Sequence, residues 1–118
     1  MLKATEEAKT EAAGRDRRKF PRHQYIREIE VRRIDGVEYS TMSFEISQGG
    51  ISLATPRDLQ VGDLVEVYPV VGRWVAAIVR RKSGAMHGLE FIGLTDGERK
   101  RIEDECKGLP LFQSMASI

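Results

Sequence analysis

A single cysteine, Cys106, stands in the whole sequence. That excludes an intrachain disulfide and a cysteine cluster for zinc, and it fits a reducing compartment. A lone thiol among apolar neighbours reads as a small core residue rather than a nucleophile. No apolar run approaches the ~20 residues that cross a bilayer, and the N-terminus lacks the apolar stretch of a secretory signal. The protein is therefore expected in the cytoplasm, without membrane insertion. Net charge is also missing, since 19 Lys and Arg against 18 Asp and Glu leave +1. Domains that wrap DNA or RNA are usually strongly basic, so any anion site should be local and neither nucleic acid is the expected partner. One Trp, three Tyr and four Phe are too few, and too often placed as core, to floor a barrel that stacks single strands. Only His23 and His87 offer imidazole. They have no metal-ligating spacing, no serine or cysteine is set beside a base, and no P-loop or Rossmann glycine pattern occurs. The expectation is a protein that is not an enzyme and carries neither metal nor cofactor. Both histidines read as incidental, with some pH sensitivity available to His23 beside Arg22.

What is present suits one domain. The 118 residues, 41% hydrophobic and 31% charged, can build one compact core. Residues 1–14 are rich in Ala, Glu and Lys and give a helix little to bury, so a flexible leader is expected. The domain proper then runs over 15–118. Its first part, 15–25, concentrates positive charge: Arg15, Arg17, Arg18, Lys19 and Arg22, with Arg27 just beyond, face only Asp16. Pro21 disfavours the α region at Phe20 and removes a donor, so this segment should be an extended, mobile arm.

Short strands separated by turn signals follow, the pattern of an all-β barrel over 26–93. The expected strands lie near 26–34, 37–46, 50–54, 63–68, 73–81 and 86–92. Asp35-Gly36 predicts a type I′ hairpin with positive φ at both residues, joining the first two strands antiparallel. In the second strand Met42, Phe44 and Ile46 alternate with Ser43, Glu45 and Ser47, which predicts an apolar inner face and places Glu45 and Ser47 outward. The strand at 73–81 is apolar on both faces, so a helix is expected to cover one of them. That helix is announced at 95–107 by the capping box Thr95-Asp96-Gly97-Glu98 and by the stripe Ile102, Cys106 and Leu109, and Gly108 with Pro110 ends it. The apolar tail at 109–118 either closes one end of the barrel or forms a contact for a partner.

Two places can bind. Guanidinium groups of the arm make paired hydrogen bonds to phosphate oxygens and to guanine O6 and N7, and their flat faces stack on bases. At Glu45-Ile46-Ser47-Gln48-Gly49-Gly50 a carboxylate can accept the guanine N1 and N2 protons, a hydroxyl adds a bond, and Gly50 permits close approach. Each alone is also ordinary surface or turn chemistry.

Together they resemble the PilZ domain family, which carries RxxxR on a flexible N-terminal segment and (D/N)xSxxG later on the barrel. Arg18 and Arg22 match the first motif, with Arg17 as the extra arginine often found before it. Ser47 and Gly50 match the second, while Glu45 stands where the family has Asp or Asn. VGDLVEVYP and HGLEFIGL extend the likeness to roughly residues 15–107. The resemblance implies a six-stranded antiparallel PilZ-type β-barrel with a short C-terminal helix, and cyclic di-GMP as ligand. Arg17, Arg18 and Arg22 would hold the phosphates and one guanine, and Glu45, Ser47 and Gly50 would receive the other on the barrel. The arm would close over the ligand and change the surface shown to an effector protein, with the chain a monomer or weak dimer. The longer Glu45 would weaken binding without abolishing it. The alternative is a PilZ-like interaction module of a motility, pilus or secretion system that does not bind the dinucleotide.

Overall fold

The computed structural model describes residues 20–55 and 59–111. The expected leader, the first part of the arm with Arg17 and Arg18, and the tail beyond Leu111 lie outside the described residues. The strands are β1 (His23–Gln24), β2 (Glu28–Arg33), β3 (Glu38–Ile46), β4 (Gly50–Ala54), β5 (Leu64–Tyr68), β6 (Val75–Ser83) and β7 (Met86–Ile92), followed by helix α1 (Asp96–Cys106). All pairings are antiparallel, in the order β1-β3-β2-β5-β6-β7-β4, and the additional β3–β4 pairing closes β2 to β7 into a six-stranded barrel. The two-residue β1 is the extra strand, continuing the line of β2 along the end of β3 through His23↔Ile46 and Gln24↔Glu45.

Inward positions follow the period of two: Ile29 and Val31, Ile51 and Leu53, Val65 and Val67, Val75, Ala77 and Val79, and Leu89 and Phe91 are buried. Their burial, worth about 1.5–3 kcal/mol for each large side chain, fills the barrel. From α1, Ile102 and Cys106 join the same core. Cys106 is a free thiol, and burial pushes its pKa up, so it stays protonated as a core residue.

Three local expectations change. The β2–β3 connection is not a two-residue type I′ turn. Gly36 N donates to Arg33 O and Arg33 N to Val37 O, so Ile34 and Asp35 are the central residues and Gly36, at φ +91°, takes the left-handed place after them. This is the three-residue hairpin loop, which needs positive φ at the glycine only and spares Asp35 that strain.

In β3 the alternation breaks. Thr41 and Ser43 are buried and Met42 is exposed, contrary to expectation. A bulge between Ser43 and Glu45 inserts Phe44 as an extra residue opposite β4, and the face of every residue before it is thereby inverted. Beyond the bulge the expected phase holds: Ile46 opposes Ile51 in the core, and Glu45 opposes Ser52 on the outer face. Ser43 tolerates burial because its hydroxyl donates to Tyr25 O at 2.6 Å and accepts from Arg27 N at 3.1 Å.

The helix does not cover β6. Ala76 and Ile78 are half-buried by their strand neighbours Glu66, Ile92, Leu64 and Glu90. α1 is tied instead to loops, with Arg99 Nη1 on Gln48 O at 3.2 Å and Arg101 Nη1 on Val71 O at 3.1 Å. Its N-terminus is the expected capping box: Glu98 N donates to Thr95 Oγ1, and Thr95 N to Glu98 Oε1. Leu109, the last residue of the expected stripe, lies just past the helix and packs partly buried on the core.

Glu98 also grips Arg73 through two bonds of 2.5 and 2.7 Å, and this pairing holds its carboxyl down to about 2 from an ordinary 4.5. A depressed carboxylate contributes stability that is complete above the unfolded value and is lost as pH falls through the folded one. Melting curves should therefore show a component of stability lost between about pH 5 and pH 2. Glu98→Gln should remove that component, and an unchanged pH profile in the variant would refute the assignment. Both side chains are at the surface, so the effect is modest.

Candidate functional site

The bulge at Phe44 sets up the site. By turning Glu45 outward in register with Ser52, it starts a row of outward residues across four strands: Glu45 opposes Ser52, Ser52 opposes Gly88, and Gly88 opposes Arg81. A second bulge between Val79 and Arg81 brings Arg81 into that row. The middle of the row is Ser52 and Gly88, so the surface there is a groove with a small-residue floor. A cavity of about 350 Å³ lies on it, with Arg22, Glu45, Ser47 and Gly50 all in its lining. A second cavity of about 560 Å³ adjoins it and shares Glu45, Ser52, Arg81 and Gly88.

The structure thus brings Arg22 to the barrel motif. Arg22 Nη1 lies 3.3 Å from Glu45 Oε2, and the same oxygen accepts from the Ser52 hydroxyl at 3.1 Å. Glu45 is 5% exposed, and its other oxygen, Oε1, is buried without a hydrogen-bond partner. It is on the outer face, as expected, but covered by the arm rather than open to water. A buried acceptor that receives no hydrogen bond is costly, and Glu45 lines both cavities, where a donor on a ligand would satisfy it.

Ser47 and Gly50 have structural duties as well. Ser47 Oγ accepts from Gly49 N at 3.1 Å, and Ser47 N donates to Gly50 O at 2.9 Å, which fixes the β3–β4 turn. A Cβ at Gly50 would overlap the carbonyl oxygen of Leu89. The backbone that comes close to this glycine is therefore strand β7. Phe20 is seated on the turn, its ring 3.1 Å from where a Cβ of Gly49 would stand. The arm is consequently packed on the barrel from Phe20 onward.

His23, next to Arg22, has a fixed place: its Nδ1 donates to Leu109 O at 3.2 Å, and it bridges to Leu111. His87 is buried, with Nδ1 donating to Ala85 O. Among the described residues no group of acidic, histidine or cysteine side chains is placed to hold a metal ion. No described helix is long and apolar enough to cross a membrane.

Sequence reading missed Ser52, Gly88, Arg80, Arg81 and Glu90 in this groove. Their place follows from strand register, so only a correct pairing scheme with both bulges would have found them.

A family model described as "PilZ domain" matches residues 16–108. Among solved structures, the chain is similar to the Bacillus subtilis inhibitor of motility MotI/DgrA, at 21% identity and a TM-score of 0.62, over 78% of this chain and 50% of that one. It is similar to the PilZ domain of YcgR from Escherichia coli, solved with c-di-GMP, at 17% identity and a TM-score of 0.62, over 80% of this chain and 92% of that one. A third is the PilZ domain of CeSA from a cellulose-synthesizing bacterium, at 17% identity and a TM-score of 0.58, over 74% and 95%. The chain thus spans half the length of the motility inhibitor and nearly all of the two isolated domains. No curated protein sequence matches at a significant level.

Proposed function

The chain belongs to the PilZ domain family, and from that premise we propose that it is a receptor for cyclic di-GMP rather than an enzyme. The observation that carries this reading is that Arg22 of the RxxxR segment lines the same cavity as Glu45, Ser47 and Gly50 of the ExSxxG segment. A purely structural barrel has no use for that meeting. The solved YcgR domain, whose fold this chain shares, contains c-di-GMP. In the proposed complex Arg22, with Arg17 and Arg18, holds the phosphates and stacks on one guanine. Glu45 accepts the N1 and N2 protons of the other through the oxygen that now lacks a partner. Ser47 and the backbone at Gly50 border it. Binding draws the part of the arm that precedes Phe20 over the groove, and the altered surface is read by an effector protein.

A second reading is favoured by one observation: Glu45 reaches Arg22, so the carboxylate competes with a phosphate for the guanidinium. In that reading the domain docks on a motility or secretion protein without the dinucleotide. Isothermal titration separates the two. The wild-type chain should bind cyclic di-GMP in the micromolar range or tighter. Glu45→Asp should bind at least several-fold more tightly, because the shorter side chain releases Arg22 and restores the family's residue. Absence of heat from both proteins would reject the receptor reading in favour of docking.

A further inference from the structure

Three arginines and two glutamates line the first cavity: Arg22, Arg80 and Arg81 with Glu45 and Glu90. Glu45 holds Arg22, and Glu90 holds Arg80 through a bond of 2.6 Å. Arg81 is left over. Among the described residues no carboxylate pairs with it, although two of them stand in the same wall. Its side chain is exposed, yet it lies against its strand partner. A Cβ at Gly88 would lie 3.1 Å from Arg81 Nε and Nη2 and 3.4 Å from Cζ, so the Nε–Nη2 edge of the guanidinium lies over the bare backbone of Gly88, its strand partner. The glycine is the seat of the arginine.

That seat places the cation on β7, while Arg22 is held on β3. With β4 between them, two strand spacings, about 10 Å, separate the two guanidinium groups. Arg81 also lines the second cavity, so it stands where the two meet. A flat, pre-positioned guanidinium with no competing carboxylate is suited to paired hydrogen bonds with a phosphate. A ligand with two phosphodiesters set apart on one ring matches two such groups set apart on one groove.

We propose that Arg81, seated on Gly88, is a second ligand-binding residue of the groove, taking the phosphodiester of the dinucleotide farther from Arg22. The inference rests on the receptor reading and adds an anchor outside both sequence motifs. Gly88 acts through Arg81: a methyl group there crowds the guanidinium and makes it give by a few tenths of an ångström, and because the crowded atoms are the far end of a flexible side chain, the barrel itself has no reason to unfold.

The test is a titration of cyclic di-GMP into the wild type, Arg81→Ala, Arg81→Lys, Gly88→Ala and the double variant Gly88→Ala with Arg81→Ala, with circular dichroism melts as a check on folding. Arg81→Ala should weaken binding at least tenfold. Arg81→Lys, which keeps charge without the planar fork, should recover only part of it. Gly88→Ala should weaken binding when Arg81 is present and add nothing when it is absent, a non-additivity that a merely structural glycine would not produce. Wild-type binding with Arg81→Ala within twofold of it would overturn the proposal, as would a Gly88→Ala effect of the same size in both backgrounds. Failure of the wild type to bind would overturn the receptor reading itself, a result distinct from either.

Discussion

Arg22→Ala is expected to abolish measurable binding of cyclic di-GMP and, in the same protein, to lower stability. The binding loss follows from arithmetic. A micromolar complex requires about −8 kcal/mol net, left over after an association cost of about 4–15 kcal/mol. Charge-assisted hydrogen bonds at roughly 1.5–3 kcal/mol each must supply much of the difference. One guanidinium fewer therefore moves the dissociation constant by a hundredfold or so. The stability loss has a separate cause. Glu45 is 5% exposed, and its Oε2 would keep only the Ser52 hydroxyl. Stranding a buried carboxylate by deleting its cation costs about 3–5 kcal/mol in the fully buried limit; Arg22, at 18% side-chain exposure, sets a somewhat lower figure here. The double variant Arg22→Ala with Glu45→Gln separates the two effects. It should regain stability in urea unfolding without regaining affinity. Tight binding by either variant would remove Arg22 from the site.

Gly50→Ala should have the largest effect on folding. The added methyl overlaps the Leu89 carbonyl oxygen and lies 3.1 Å from its carbon and 3.3 Å from Glu90 Cα. All of these are backbone atoms, so no rotamer change relieves the clash and β4 and β7 must separate at Gly50↔Glu90. Overpacking of this kind costs about 3 kcal/mol or more, a fall of roughly 10–20 °C in Tm for a domain of this size. The contrast with Gly88→Ala is the sharper check. There the obstacle is a side-chain tip, so Tm should stay near the wild-type value. If both variants melt alike, the close approach of Leu89 to Gly50 is not what fixes the glycine.

The family motif thus carries two kinds of requirement in a few residues. Ser47 and Gly50 hold the turn and the strand pairing, and with Glu45 they border the cavity. Their presence alone therefore does not separate a binding domain from a folding one.

Six of the strands and the helix were readable from alternation, turn residues and the Thr95–Glu98 box, because those signals act over a few neighbouring residues. β1 was not, since two residues carry no period. The bulge at Phe44 was hidden for a different reason: Thr41 to Ile46 alternates cleanly in a single phase, and only the pairing with the partner strand reveals that the phase changes within it. The same fact explains the site. Arg22 and Glu45 were legible because a motif names them, whereas Ser52, Gly88 and Arg81 become neighbours only through ladders between segments far apart in the chain. The seating of Phe20 on Gly49 was likewise invisible, as it depends on where the arm lands.

The segment leaving α1 returns to the point where the arm enters the barrel. Gln24 N donates to Pro110 O at 2.7 Å, His23 Nδ1 holds Leu109 O, and His23 bridges to Leu111. These links begin one residue after Arg22. Incoming and outgoing segments of the chain are thus laced together beside the groove, so the backbone that carries Arg22 is anchored at both ends of the domain.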